Sequence, residues 1–148
     1  MDIIVFSMIG VAILFDFLNG MHDAANSISL IVSTRTLSPR KALMWASFFN
    51  FIACVVFGIS VANTIGKGIV DPHIMTLSLI FSAMVGGIIW NMITIRIGIP
   101  SSSSHALVGG LMGAGLAKGG TSVVVWSGIG KICLFIVLSP LFGMTLSI

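Results

Sequence analysis

Asp16, Asn19, Asp23 and Asn26 recur at spacings of three, four and three residues, in or just after an apolar run that begins at Ile3. At about 100° per residue the four fall inside an arc of roughly 80°, so a continuous helix would carry them on one side. Carboxylates offer charge and oxygen to a cation. Amides offer oxygens to a cation and N–H donors to an anion. An Asp at bilayer depth is disfavoured by roughly 2.5–3.5 kcal/mol on insertion scales, so such a stripe faces a cavity, a partner or an ion instead of lipid. The stripe reads as the wall of an ion or anion path.

A second polar cluster runs Pro100-Ser101-Ser102-Ser103-Ser104-His105 and leads into Ala106-Leu107-Val108-Gly109-Gly110. Pro presets the backbone and Ser is a favoured N-cap, so the pattern predicts a helix start. A helix start presents unpaired N–H donors and a partial positive charge, which suits an anion. The serine hydroxyls add donors without a fixed charge, as a phosphate or sulfate that must bind and then leave would require. The duller alternative is a polar loop with a single capping serine. Gly109 and Gly113 have small-xxx-small spacing, and packing is the expected role of the glycines here.

These residues sit in a membrane chain. The 148 residues are 57% hydrophobic and 7% charged, with no Tyr and no Glu, and the mean hydropathy is +1.16. Soluble domains carry about 25% charged residues. Apolar runs recur along the whole length, which a cleaved signal peptide does not explain. The net charge of +3 comes from scattered basic residues, so no nucleic-acid surface is expected. Cys54 and Cys133 lie in apolar stretches and define neither a disulfide framework nor a metal site.

A span takes about 20 residues. The first is expected from Ile3 to about Leu18, leading into the polar segment, and the second from Ala42 to about Ala62. A short hydrophilic connection holds Lys67, Asp71, Pro72 and His73, and the third span runs from Ile74 to about Ile95. A small-residue run from Ala106 to Ala117 is too short to cross alone. A last apolar stretch starts at Ser122 and contains Lys131, which must snorkel, pair or mark a break. Arg35, Arg40 and Lys41 are the densest basic cluster and place the first connector in the cytoplasm. The fold class expected is an all-α membrane protein: a helical bundle with a short or re-entrant helix, forming one transmembrane domain over residues 1–148.

The motifs resemble those of the inorganic phosphate transporter (Pit) family. Asn19-Gly20-Met21-His22-Asp23-Ala24-Ala25-Asn26-Ser27 is similar to that family's N-G-x-H-D-x-A-N signature. Ser33-Thr34-Arg35, residues 61–70, Trp90-Asn91 and residues 98–109 fit it as well. The resemblance covers about Leu14 to Ala117, with the serine run replacing the family's commoner V-S-T-T or V-S-S-T. It implies cation-coupled transport of inorganic phosphate with sodium ions or protons, no other cofactor, and location in the cell (inner) membrane as a multi-pass protein. Family members carry two signatures in inverted repeats and this sequence shows one. The expected partners are therefore phosphate, the bilayer, a second repeat or another subunit, and an oligomeric assembly.

By that resemblance Asp23 is the first choice for a cation ligand, with Asn19 beside it. Ser102, Ser103, Ser104 and Asn26 are the expected phosphate ligands. Asp16 is either a second cation or proton site or a partner for Lys131 or Arg96. His22 points away from the stripe and is expected to pack. His105 either bonds the anion or locks the helix start, His73 is a solvated connector residue, and Asn91 is a candidate site-wall amide. The rival readings are a sulfate carrier of the same fold, a non-transporting truncated subunit, and an intramembrane hydrolase using Ser104, His105 and Asp23. The last lacks a Gly-x-Ser-x-Gly elbow, so the chain is not expected to be an enzyme.

Overall fold

The computed structural model describes residues 2–57 and 68–146. Helix α1 (Asp2–Ser33) is one element of 32 residues, about 48 Å long at 1.5 Å per residue. The expectation of a span ending near Leu18 is corrected, because the helix runs unbroken through the polar segment. The polar residues occupy one side only, and exposed apolar side chains such as Phe17, Met21 and Leu30 cover others. Ser27, Ser29 and Ser33 also bond back to the carbonyls of Ala24, Asn26 and Leu30 at 3.1, 2.9 and 2.9 Å, so they satisfy themselves within the helix. Arg35 then adopts a left-handed backbone, φ 58°, while the Thr36 N–H closes on the Ile31 carbonyl at 3.1 Å. That left-handed residue ends the helix.

Pro39 opens α2 (Pro39–Phe57), which packs on α1. The expected second span, Ala42 to about Ala62, is helical as far as Phe57; residues 58–62 of it lie outside the described residues. The following connection is only partly hydrophilic, which corrects the sequence expectation. Asp71 accepts a bond from the His73 N–H at 2.9 Å and starts a short turn at Pro72–Ile74. Just before it, Ile69 and Val70 are fully buried. Val70 pairs antiparallel with Val124, and the Val125 N–H bonds the Ile69 carbonyl at 2.9 Å. Two adjacent β-branched residues with their backbone satisfied in this way make a core plug, not a loop.

Helices α3 (Leu77–Ile97) and α4 (Ser103–Gly119) form a tight antiparallel hairpin. Thr76 caps α3 by accepting from the Leu79 N–H. Gly98 ends it with φ 73°, and the Ile99 N–H returns to the Thr94 carbonyl at 3.0 Å. The hairpin is close because a Cβ on Gly110 would strike the Ala83 carbonyl. The small-residue packing predicted for Gly109 and Gly113 is misplaced: a Cβ on either would meet nothing within 4 Å. At the far end, Lys118 donates to the Ile74 carbonyl at 3.1 Å and to Thr76 Oγ1 at 2.6 Å, which fastens the end of α4 to the start of α3.

A turn at Gly120–Val123 leads to α5 (Trp126–Leu146). This helix is continuous through Lys131, which is exposed, and has no buried residue. Helices α1 (from Ile3), α3 and α5 are long and apolar enough to cross a membrane. The 17 residues of α4 reach about 26 Å, so this is the short helix that the sequence predicts. The architecture is an all-α membrane fold.

Candidate functional site

The site is positioned by how α1 lies against the hairpin. Phe15 of α1 faces Gly87 of α3, where a Cβ would come 2.7 Å from Phe15 Cε2. Seven residues further along each helix, His22 and Thr94 line one small cavity. The two helices are therefore parallel and in step, and the α3–α4 turn falls against the second half of α1.

That register brings the two polar motifs together. Ser103 Oγ donates to Asp23 Oδ2 at 2.9 Å. Asn26 Nδ2 donates to the Ser101 carbonyl at 3.2 Å. Trp90 Nε1 donates to Ser101 Oγ at 3.1 Å, so Ser101 is held from both sides. Ser102 is the N-cap of α4 and accepts from the His105 N–H at 3.4 Å. Ser103 is buried, Asp23 half-buried, and Ser104 exposed beside them.

The start of α4 thus has a carboxylate for a neighbour. The N–H groups of Ser103 and Ser104 belong to the first turn, where no intrahelical acceptor exists, and no other acceptor engages them among the described residues. Together with the Ser104 hydroxyl they are donors open to an anion. Asp23 already presents negative charge at this positive helix end, a placement worth about 0.3–1 kcal/mol at an exposed helix end. An anion arriving at those donors would meet the Asp23 carboxylate beside them, which already holds the Ser103 hydroxyl.

The remaining sequence candidates fall into two groups. Asn19 and Asn91 lie level on α1 and α3, four residues beyond the Phe15–Gly87 contact on each helix. The Oδ1 of Asn19 and both amide atoms of the fully buried Asn91 have no hydrogen-bond partner, and neither does His22 Nδ1. His22 is buried, as its direction away from the stripe predicts. Asp16 is outside the constellation. It is exposed, about 10 Å from Asp23 along the helix axis, and forms no ion pair with Lys131 or Arg96. His73 is exposed on its connector.

His105 is exposed and borders two clefts. One, of about 810 Å³, is lined by Trp90, Ser101, Ser102, Gly109 and Gly113 among others, which explains why those two glycines touch nothing. The other, of about 750 Å³, also holds Lys131. Asp23 bonds Ser103 rather than His105, so the contacts form no Ser–His–Asp relay. Sequence reasoning missed Trp90 and Ser101 as site members. The available signal was the indole N–H, which needs an acceptor when a Trp sits in an apolar helix.

These features define a class: a multi-pass α-helical membrane protein whose polar groups converge at a helix start between its spans. The chain belongs to the Phosphate transporter family, whose family model matches residues 19–148. It is 59% identical over 141 residues to a probable low-affinity inorganic phosphate transporter of Rhizobium meliloti (strain 1021), covering 95% of this chain and 42% of that one. It is 43% identical over 137 residues to the protein of the same description from Bacillus subtilis (strain 168), covering 91% of this chain and 41% of that one. Among solved structures it matches one titled the sodium-dependent phosphate transporter, with a TM-score of 0.84 and 34% identity over 95% of this chain and 36% of the other. The chain therefore spans less than half the length of these relatives. The family is one of transporters, and the chain is not an enzyme.

Proposed function

We propose that this chain supplies the phosphate-cradling part of a cation-coupled inorganic phosphate transporter. The observation that carries the reading is the 2.9 Å bond from Ser103 Oγ to Asp23 Oδ2, which ties the acidic stripe to the serine helix start. Ser102, Ser103, Ser104 and Asn26 serve the phosphate. Asp23, flanked by Asn19, serves the cation, with Asp16 as a second cation or proton site about 10 Å away along α1. Sodium is the favoured coupling ion because the solved structure it resembles is titled sodium-dependent.

The order of events follows from the competition at α4. With Asp23 unneutralised, its carboxylate occupies the Ser103 hydroxyl and repels a phosphate dianion strongly at low dielectric. A cation on Asp23 removes the repulsion and releases that hydroxyl toward the incoming anion. Phosphate then docks on the Ser103 and Ser104 N–H groups with the serine hydroxyls around it.

The rest of the cavity comes from a second, inverted repeat, and rocking of one repeat against the other exposes the site alternately to the two sides. The chain's share of its relatives, 42% and 41% of their lengths, supports this division, with residues 1–148 forming one transmembrane unit.

Uptake of labelled phosphate by vesicles containing the full-length protein tests the reading. The proposal expects sodium-dependent uptake that Asp23→Asn abolishes. Unchanged cation-dependent uptake in that variant would remove Asp23 from the mechanism.

A further inference from the structure

We propose that the start of α2 is a binding site for an anionic phospholipid. Arg35, Arg40 and Lys41 are all exposed and lie within seven positions of one another where α1 gives way to α2. The first turn of α2 contains no acidic residue. The positive end of the α2 dipole has the same sign as these three side chains, and no ion pair offsets any of them among the described residues. Of the four Asp residues of the chain, Asp23 is engaged with Ser103 and Asp71 with the His73 N–H. Asp16 lies about 26 Å before the end of α1 and Asp2 further still, so no Asp of the described chain offsets the cluster, which is open to negative charge from outside.

The geometry below the charges identifies its source. Lys41, Met44, Trp45 and Phe48 line a groove of about 580 Å³. Their spacing places them on one side of α2, with the ammonium at the helix start and the apolar residues further along. Trp45 is held by stacking on Phe49, with ring centroids 5.7 Å apart, and by an edge contact to Phe48 at 6.3 Å. A cationic rim above an apolar, Trp-walled channel matches a phospholipid, whose phosphate meets Lys41 while an acyl chain enters the groove. A free phosphate ion would use the rim and leave the groove empty. Basic residues beside a membrane span attract anionic headgroups, and Trp favours the level of the headgroups.

Tryptophan fluorescence of the full-length protein in phosphatidylcholine bilayers tests this, with brominated phosphatidylglycerol or brominated phosphatidylcholine added as the quencher. Brominated phosphatidylglycerol is expected to quench more strongly, and Trp45→Phe is expected to abolish that difference. Arg40→Gln with Lys41→Gln should weaken the preference by about fivefold per charge removed. In the unaltered protein, raising salt should weaken it too.

Equal quenching by the two lipids would overturn the proposal, because the groove would then be ordinary lipid contact. Absence of Trp45 quenching by either lipid would also overturn it, by showing the groove covered by a second copy or by another part of the protein. A preference that does not respond to salt would overturn it even if the charge variant failed to insert.

Discussion

Ser103 and Asp23, 80 residues apart in sequence, are joined by a 2.9 Å hydrogen bond in which the serine hydroxyl donates to the carboxylate. The serine is buried at the first turn of a short helix and the aspartate is half-buried about two-thirds of the way along a long one. One contact thus fastens α1 to the hairpin and sets a negative charge at the donor end of α4. Replacing Ser103 with Ala removes the carboxylate's hydroxyl donor. The expected cost is about 1–3 kcal/mol, because a partly buried acceptor loses its partner. Thermal unfolding of the full-length protein in detergent checks this, and an unchanged midpoint would mean that the bond contributes nothing to docking.

Trp90 supports the same turn from the other side through its bond to Ser101 Oγ at 3.1 Å. Trp90→Phe keeps most of the ring and loses the N–H. The expected result is a stability loss of about 0.5–1.5 kcal/mol and weaker phosphate uptake at low substrate. Concentration dependence of uptake in vesicles measures it, and a response confined to stability would place Trp90 outside the binding site.

Two neighbouring glycines should respond in opposite ways. Gly110→Ala forces a methyl into the Ala83 carbonyl and should destabilise the hairpin by about 1–3 kcal/mol. Gly109→Ala meets nothing within 4 Å and should be neutral or gain up to about 1 kcal/mol from helix propensity. Unfolding midpoints of the two variants, compared side by side, check the sign of each.

Asn91 is fully buried with neither amide atom bonded, level with Asn19 whose Oδ1 is also unbonded. Such groups in a folded protein call for a water or an ion. Asn91→Leu removes that demand for a partner, and its unfolding midpoint is expected to respond less to added sodium than the parent's does. Unfolding with and without sodium measures the difference, and an equal response in both proteins would place Asn91 away from the cation.

Much of this arrangement was legible in the sequence, and for identifiable reasons. The 3-4-3 spacing of Asp16, Asn19, Asp23 and Asn26 put them on one side of a helix, and α1 realises that. The Pro-Ser run marked the start of α4 to within a residue or two, because capping is local chemistry. Burial of His22 followed from its angle to the stripe. What could not be read was tertiary. Nothing local distinguishes Gly110, which touches Ala83, from Gly109, which borders a cleft. The plug formed by Ile69 and Val70 depends on a strand-like pairing with Val124, 54 positions away. Asp16 shares the stripe's spacing but lies one helical turn beyond Asn19, too far along α1 for the hairpin turn to reach. α1 continues past Leu18 because a one-sided polar stripe does not end a helix.

In the proposed mechanism Asp23 holds the Ser103 hydroxyl and repels an anion at the start of α4 until a cation neutralises it. The most direct test of that mechanism is equilibrium binding of phosphate to the purified full-length protein with and without sodium, in the parent and in Asp23→Asn. The account predicts that sodium tightens phosphate binding in the parent by about 5- to 150-fold, the usual range of coupling between sites. It predicts little or no sodium effect in the variant, whose neutral amide no longer needs a counter-ion. Equal sodium dependence in both proteins would contradict the account.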